Sequence, residues 1–175
     1  MSRKQAIVIA LSLIIFAALI RLSAHLPNAT PIAALAFAGS RYLGRRFAVL
    51  LPLIALFLSD MFIGFYDWRI MLSVYGSFLL IGCLSWIVRK QAFLPLGFSV
   101  VGASVLFFLI TNAAVWWFSP WYEKSLAGLL YSYTLGIPFM RNMMIGDVIY
   151  TAALVAVFEA SYVLGALRNP SVKAV

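Results

Sequence analysis

The chain has 175 residues, of which 65% are apolar and only 10% charged, with a net charge of +8. A soluble domain is roughly 45–50% apolar, so the few polar residues here do not cover a water-facing surface, and lipid is the solvent for most of the chain. One cysteine (Cys83) and one histidine (His25) exclude an internal disulfide and a multi-cysteine or His-rich metal site, and the basic residues flank apolar runs as orienting charges rather than forming a nucleic-acid face.

The first apolar run, Ala6 to Ala24, follows Arg3 and Lys4. A cleaved signal opens the same way, but Arg21 directly follows the apolar stretch from Ala6 to Ile20 and Leu22 spoils the small-residue cleavage pattern. A retained first helix is expected. Next comes "TPIAALAFAGSRYLG", in which Thr30 can cap a helix whose first residue is Pro31, and Gly44 can end it. That helix is roughly 21 Å long, short of a bilayer core of about 30 Å. Within it Ala34 and Ala38 lie four apart on one face and let another helix approach closely. Internal packing and a docking face for a second membrane protein are both open.

Four more runs, Arg46 to Tyr66, Ile70 to Val88, Leu96 to Phe118 and Met143 to Leu167, reach spanning length. Ser125 to Met140, interrupted by Gly136 and Pro138, reads as an interfacial helix. If the short segment crosses, nine basic residues collect on one side against four on the other; if it does not, the split is eight to five. The positive-inside rule favours the first. The expected fold is an all-α integral membrane protein with six transmembrane helices, the second one short, plus an outer interfacial helix between the last two. Residues 1–175 form a single transmembrane domain, with both termini cytoplasmic.

This topology sets a depth for each polar residue. Asp60, Asn112 and Asp147, on three helices, are expected at one level in the outer half of the bilayer, with Arg21, His25 and Asn28 at the outer end of the first helix. An ionised aspartate against lipid costs about 2.5–3.5 kcal/mol on insertion scales, so two of them imply an internal polar pocket or a network that bonds helices together. Trp116 lies one turn from Asn112 on the same face. Glu159 lies nearer the inner half, protonated, paired with a basic residue such as Arg45 or Arg46, or in an inner contact.

"LPNATPIAALAFAGS", "LPLIALFLSDMFIGFY", "FLITNAAVWW" and "LAGLLYSYTLGIPFMRNMMIGDVIYTA" together resemble the signature blocks of a family of small, largely uncharacterised bacterial membrane proteins described as transport proteins. The likeness runs from about Arg21 to Ala156. More distantly, the chain resembles the substrate-binding S subunits of energy-coupling factor transporters: six helices, an outward-facing vitamin site closed by loops, and small-residue faces that dock on a transmembrane partner. The first resemblance marks Asn28, Asp60, Asn112, Trp116, Arg141, Asn142 and Asp147 among its motif positions. It implies a bacterial inner (cytoplasmic) membrane location.

The expected function is uptake of a small polar, vitamin-like nutrient, bound outside by Arg21, His25, Asn28, Asp60, Asn112, Trp116, Arg141, Asn142 and Asp147. Ala34 and Ala38 would dock a partner. No ATP-binding loop is present, so active uptake calls for a transmembrane and ATPase partner or another energy source. The alternative is a structural or assembly subunit with a polar packing network. An intramembrane enzyme with an Asp60 and Asp147 dyad ranks last, because "MIGD" lacks the glycine pattern of intramembrane aspartyl proteases; no enzyme activity, cofactor or metal is expected. Cys83, toward the cytoplasmic end, is expected to carry no ligand role.

Overall fold

The computed structural model describes residues 3–23 and 26–168. Among them the chain forms six helices: α1 (Arg3–Leu22), α2 (Ile32–Ala38, continued by a π-helical turn Gly39–Leu43), α3 (Arg45–Ile63), α4 (Trp68–Val88), α5 (Phe93–Phe118) and α6 (Leu126–Arg168). Five are long and apolar enough to cross a membrane, and Ile32–Leu43 is the shorter one. Successive helices alternate in direction. One end of the bundle therefore carries the C-termini of α1, α3 and α5, here called the Arg21 end, and the other carries the Arg41 turn.

The short helix is the centre of the molecule. Every residue from Pro31 to Ser40 is buried, and α2 touches all five long helices. Twelve residues rise only about 18 Å, yet no lipid meets the ends of α2, because the other helices enclose it and its backbone is satisfied inside protein. Its alanines are what the enclosure requires, since small side chains let the neighbouring backbones approach. Ser40 Oγ donates to Ser85 O at 3.0 Å and Ser85 Oγ donates back to Ala36 O at 3.1 Å, tying α2 to α4. As expected, Gly44 ends the segment, at φ 111°, a conformation open to glycine. The start differs: the helix begins at Ile32, with Pro31 in the capping position and no side-chain cap bond.

The partner-docking expectation for Ala34 and Ala38 is corrected here. Both are 0% exposed, packed within the chain's own bundle, and no second protein reaches them without opening it.

A second correction concerns the segment after α5. The expected interfacial helix and the last span are one continuous 43-residue helix through Pro138. Its first part lies against the end of α5 rather than apart from it: Ser132 Oγ donates to Asn112 O at 3.1 Å and Tyr133 OH to Leu109 O at 3.0 Å. The proline removes one backbone bond, and these side-chain bonds from the preceding turns hold α6 on its course. Further along, Asp147 meets Ser104, whereas Gly136 meets Phe108 and Asn112. Between these contacts α6 advances eleven residues while α5 advances between four and eight. Between those points Gly146 packs on Ala29, where an added Cβ would lie 2.9 Å from the Ala29 Cα.

Candidate functional site

At the Arg21 end the helices leave a cavity of about 200 Å³, lined by the polar Arg21, Asn28 and Thr30 and by the apolar Ile32, Leu56, Ile63, Val74, Phe78, Phe107 and Met143. Asn28 has φ 64°, a left-handed conformation that asparagine tolerates better than most residues. It turns the loop over the mouth of the buried α2.

Arg21 is fixed from α3. Its Nη1 donates to Asp60 Oδ1 at 2.5 Å, to Ser59 Oγ at 2.6 Å and to Leu56 O at 3.3 Å. Asp60 is 1% exposed, and its second oxygen accepts from Tyr75 OH at 2.8 Å. Three helices, α1, α3 and α4, thus meet on one carboxylate. A buried charge needs such pairing and hydrogen bonding to be tolerated. Asp60 itself stands behind Arg21 rather than on the cavity wall.

The other expected site residues do not converge there. Asn112 Nδ2 donates to Phe108 O at 2.9 Å within its own helix, and its side chain sits beneath Gly136, where a Cβ would come within 2.5 Å of Oδ1. The question of what satisfies this amide in an apolar run is answered locally. Trp116 Nε1 donates to Glu123 O at 2.8 Å and anchors the turn into α6. Arg141 is exposed and Asn142 half-buried; neither lines the cavity. Asp147 is 1% exposed and accepts from Ser104 Oγ at 2.7 Å. Ser104 is eight residues, or about 12 Å, along α5 from Asn112. The expected common level of Asp60, Asn112 and Asp147 is therefore corrected: Asp147 meets α5 deeper than Asn112 does. His25 lies outside the described residues.

Residues that sequence reasoning left out of the site are Tyr75, Thr30 and Ser104, and the resemblance marks Ser59 as a motif position. Serines inside apolar helices commonly bond their own preceding turn, as Ser104 also does with Val100 O, so they give no depth signal. At the Arg41 end Glu159 finds its partners: Tyr42 OH donates to it at 2.6 Å and Arg41 Nε stands 3.8 Å away. Tyr42 stacks on Phe158 with centroids 4.4 Å apart. Arg41 also donates to Arg89 O and Gln91 O at 3.1 and 3.0 Å, closing the turn after α4. Cys83 is exposed. Among the described residues no group of three or more His, Cys, Asp or Glu side chains is placed to hold a metal ion.

The enclosed short helix, the five helices long and apolar enough to span and the Arg21 to Asp60 pair turned inward define a multi-pass helical membrane protein embedded in a bilayer. The chain belongs to a family of unknown function, DUF6580, whose model matches residues 1–167. No curated protein and no solved structure matches it.

Proposed function

We propose that this chain binds a small molecule with a polar or anionic head and an apolar body in the cavity at the Arg21 end, and serves its passage across the membrane. The observation that carries the reading is the cavity's mixed lining: a cation and two neutral polar groups among two phenylalanines and other apolar side chains. Ligand sites commonly combine a mostly apolar lining with a few placed polar groups. Asp60 holds the guanidinium in place before any ligand arrives. In this reading the Arg41 end, which gathers eight of the twelve basic residues described, faces the cytoplasm of a bacterium, and uptake in the manner of an S subunit draws energy from partner subunits or an ion gradient. Mass spectrometry of small molecules retained by protein purified in mild detergent tests it: a retained polar or anionic compound supports the proposal, and material free of any bound small molecule across several mild detergents counts against it.

A second reading, a structural or assembly subunit, is favoured by one observation. Arg21, Ser59, Asp60 and Tyr75 bond one another across three helices, as interhelical polar groups do when they hold a bundle together.

A further inference from the structure

At the Arg41 end, α3 and α4 leave a groove of about 220 Å³ between them, lined by Arg45, Val49, Gly82, Cys83, Trp86 and Ile87. Arg45, Cys83 and Ile87 are exposed, so the groove opens toward the bilayer and not into the bundle. Gly82 is buried where the two helices touch: an added Cβ there would lie 2.8 Å from Ala48 O and 2.8 Å from Val49 Cγ2. One turn nearer the Arg41 end stands Trp86. The Arg89 guanidinium covers its ring, with Cζ 3.3 Å from the centroid, and Arg89 Nη1 donates to Trp86 O at 2.7 Å. Arg45 from α3 and Arg89 from the end of α4 are thus brought to one level of the groove.

The cations at this mouth have no anion of their own. Among the described residues neither Arg45, Arg46 nor Lys90 forms an ion pair, and Arg46 and Lys90 are exposed, next in sequence to Arg45 and Arg89. All five acids of the chain are placed elsewhere. Asp60 bonds Arg21, Asp67 bonds Arg69, and Glu123 lies on the turn before α6 at the other end. Asp147 accepts from Ser104, and Glu159 accepts from Tyr42 beside Arg41. Charges that only orient a span need no cleft beneath them. Here they stand over an apolar one.

That combination selects its occupant. A soluble anion would leave the apolar part of the groove empty, and a zwitterionic lipid would bring an ammonium to a patch that is already cationic. An anionic phospholipid supplies both halves. We propose that the groove between α3 and α4 binds one anionic phospholipid, its phosphate held by Arg45 and Arg89 and an acyl chain laid over Gly82 along Cys83 and Ile87. Guanidinium groups present paired N–H donors that match phosphate oxygens, and basic pockets between membrane helices take such head groups. The site lies at the opposite end of the bundle from the Arg21 cavity. It rests neither on the transport reading nor on which end faces the cytoplasm.

Native mass spectrometry of the purified full chain tests it, by titration in mild detergent with phosphatidylglycerol or with phosphatidylcholine of the same acyl chains. The expected result is a first phosphatidylglycerol adduct that forms several-fold more tightly than the phosphatidylcholine one. Arg45→Gln should weaken that adduct by roughly fivefold, the contribution of one basic residue beside an anionic lipid. Cys83→Trp, which keeps every charge and fills the groove, should lose the preference as well. A melting curve matching wild type in lipid-free detergent checks that each variant is folded; Cys83→Leu, read the same way, replaces Cys83→Trp if it is not. Arg141→Gln removes a charge on α6, away from the groove, and should bind as wild type does. Equal affinity for the two lipids, equal losses in Arg45→Gln and Arg141→Gln, or full binding by the filled groove would each overturn the proposal. Displacement of the adduct by inorganic phosphate would make this an anion site without a place for a tail, and would also overturn it. None of these outcomes depends on whether the Arg21 cavity retains a ligand.

Discussion

Replacing Asp60 by Asn keeps the side chain's volume and removes its charge, leaving Arg21 without its counter-ion. Asp60 is 1% exposed and Arg21 19% exposed at the side chain, 2.5 Å apart. Breaking one member of a buried pair costs about 3–5 kcal/mol. The cavity gives Arg21 some access to water, so a cost at or just below the bottom of that range, roughly 2–3 kcal/mol, is expected. At about 2–4 °C per kcal/mol for a chain of this size, the Tm should fall by roughly 5–10 °C. The assay is thermal unfolding of the purified protein in one detergent, followed by tryptophan fluorescence, for wild type, Asp60→Asn, Arg21→Met and the double variant. The double variant should be less destabilised than the sum of the singles, because the second change removes the charge that the first stranded. A single variant that melts with wild type, or a cycle with no coupling, would refute the claim that this pair joins α1 to α3.

Ala34→Leu and Ala38→Leu should each prevent recovery of folded protein in detergent, because both positions are fully buried and excess volume has nowhere to go; monodisperse elution of either at the wild-type volume would contradict that packing. Gly136→Ala should lower the Tm, since its Cβ meets the Asn112 Oδ1 at 2.5 Å, while Gly76→Ala, which meets nothing within 4 Å, should raise stability by about 0.5–1 kcal/mol; the opposite order in melting curves would show that the α5 and α6 contact is misplaced. Asn112→Leu should lower the Tm through the same contact yet leave ligand retention unchanged, because Asn112 does not line the cavity; lost retention with an unchanged Tm would return Asn112 to the binding site. Asp67, outside the spans, caps α4, and the side-chain and backbone hydrogen bonds from Arg69 hold its carboxyl down from 3.8 to about 2. A depressed folded value stabilises above the unfolded one and is lost as pH falls through the folded one, so the Tm difference between wild type and Asp67→Ala should be constant down to about pH 4 and close by about pH 2. A difference that survives unchanged at the acid end would remove the carboxylate from that role.

The spans and the crossing of the short segment were legible because lipid imposes them: apolar runs of about 20 residues have few other uses, and "TPIAALAFAGSRYLG" is too bare of bulk to be anything but a closely packed helix. What covers α2 was not legible, since small residues suit a neighbour in the same chain and a neighbour in another equally well. Depth counting failed at Asp147 for a definite reason. It assumes that the last span starts near the interface close to Met143, whereas α6 begins at Leu126 and runs on through Pro138 before Asp147 reaches Ser104. A network that bonds helices together was one expectation for Asp60. The choice of Arg21 as its partner depends on α1 lying beside α3, and Tyr75 joins them only because α4 follows on the other flank. Glu159 drew the tyrosine beside Arg41 rather than Arg45 or Arg46, because the π-helical turn swings Arg41 and Tyr42 toward α6.

The most direct test of the binding cavity is to fill it without touching its ion pair. Val74→Phe places a ring in the space between Arg21, Phe78 and Phe107. Wild type and variant, purified side by side in the same mild detergent and measured by native mass spectrometry, should melt alike while wild type alone carries a small-molecule adduct. Equal adduct on both proteins, or none on either, would contradict the assignment of a ligand to the Arg21 cavity.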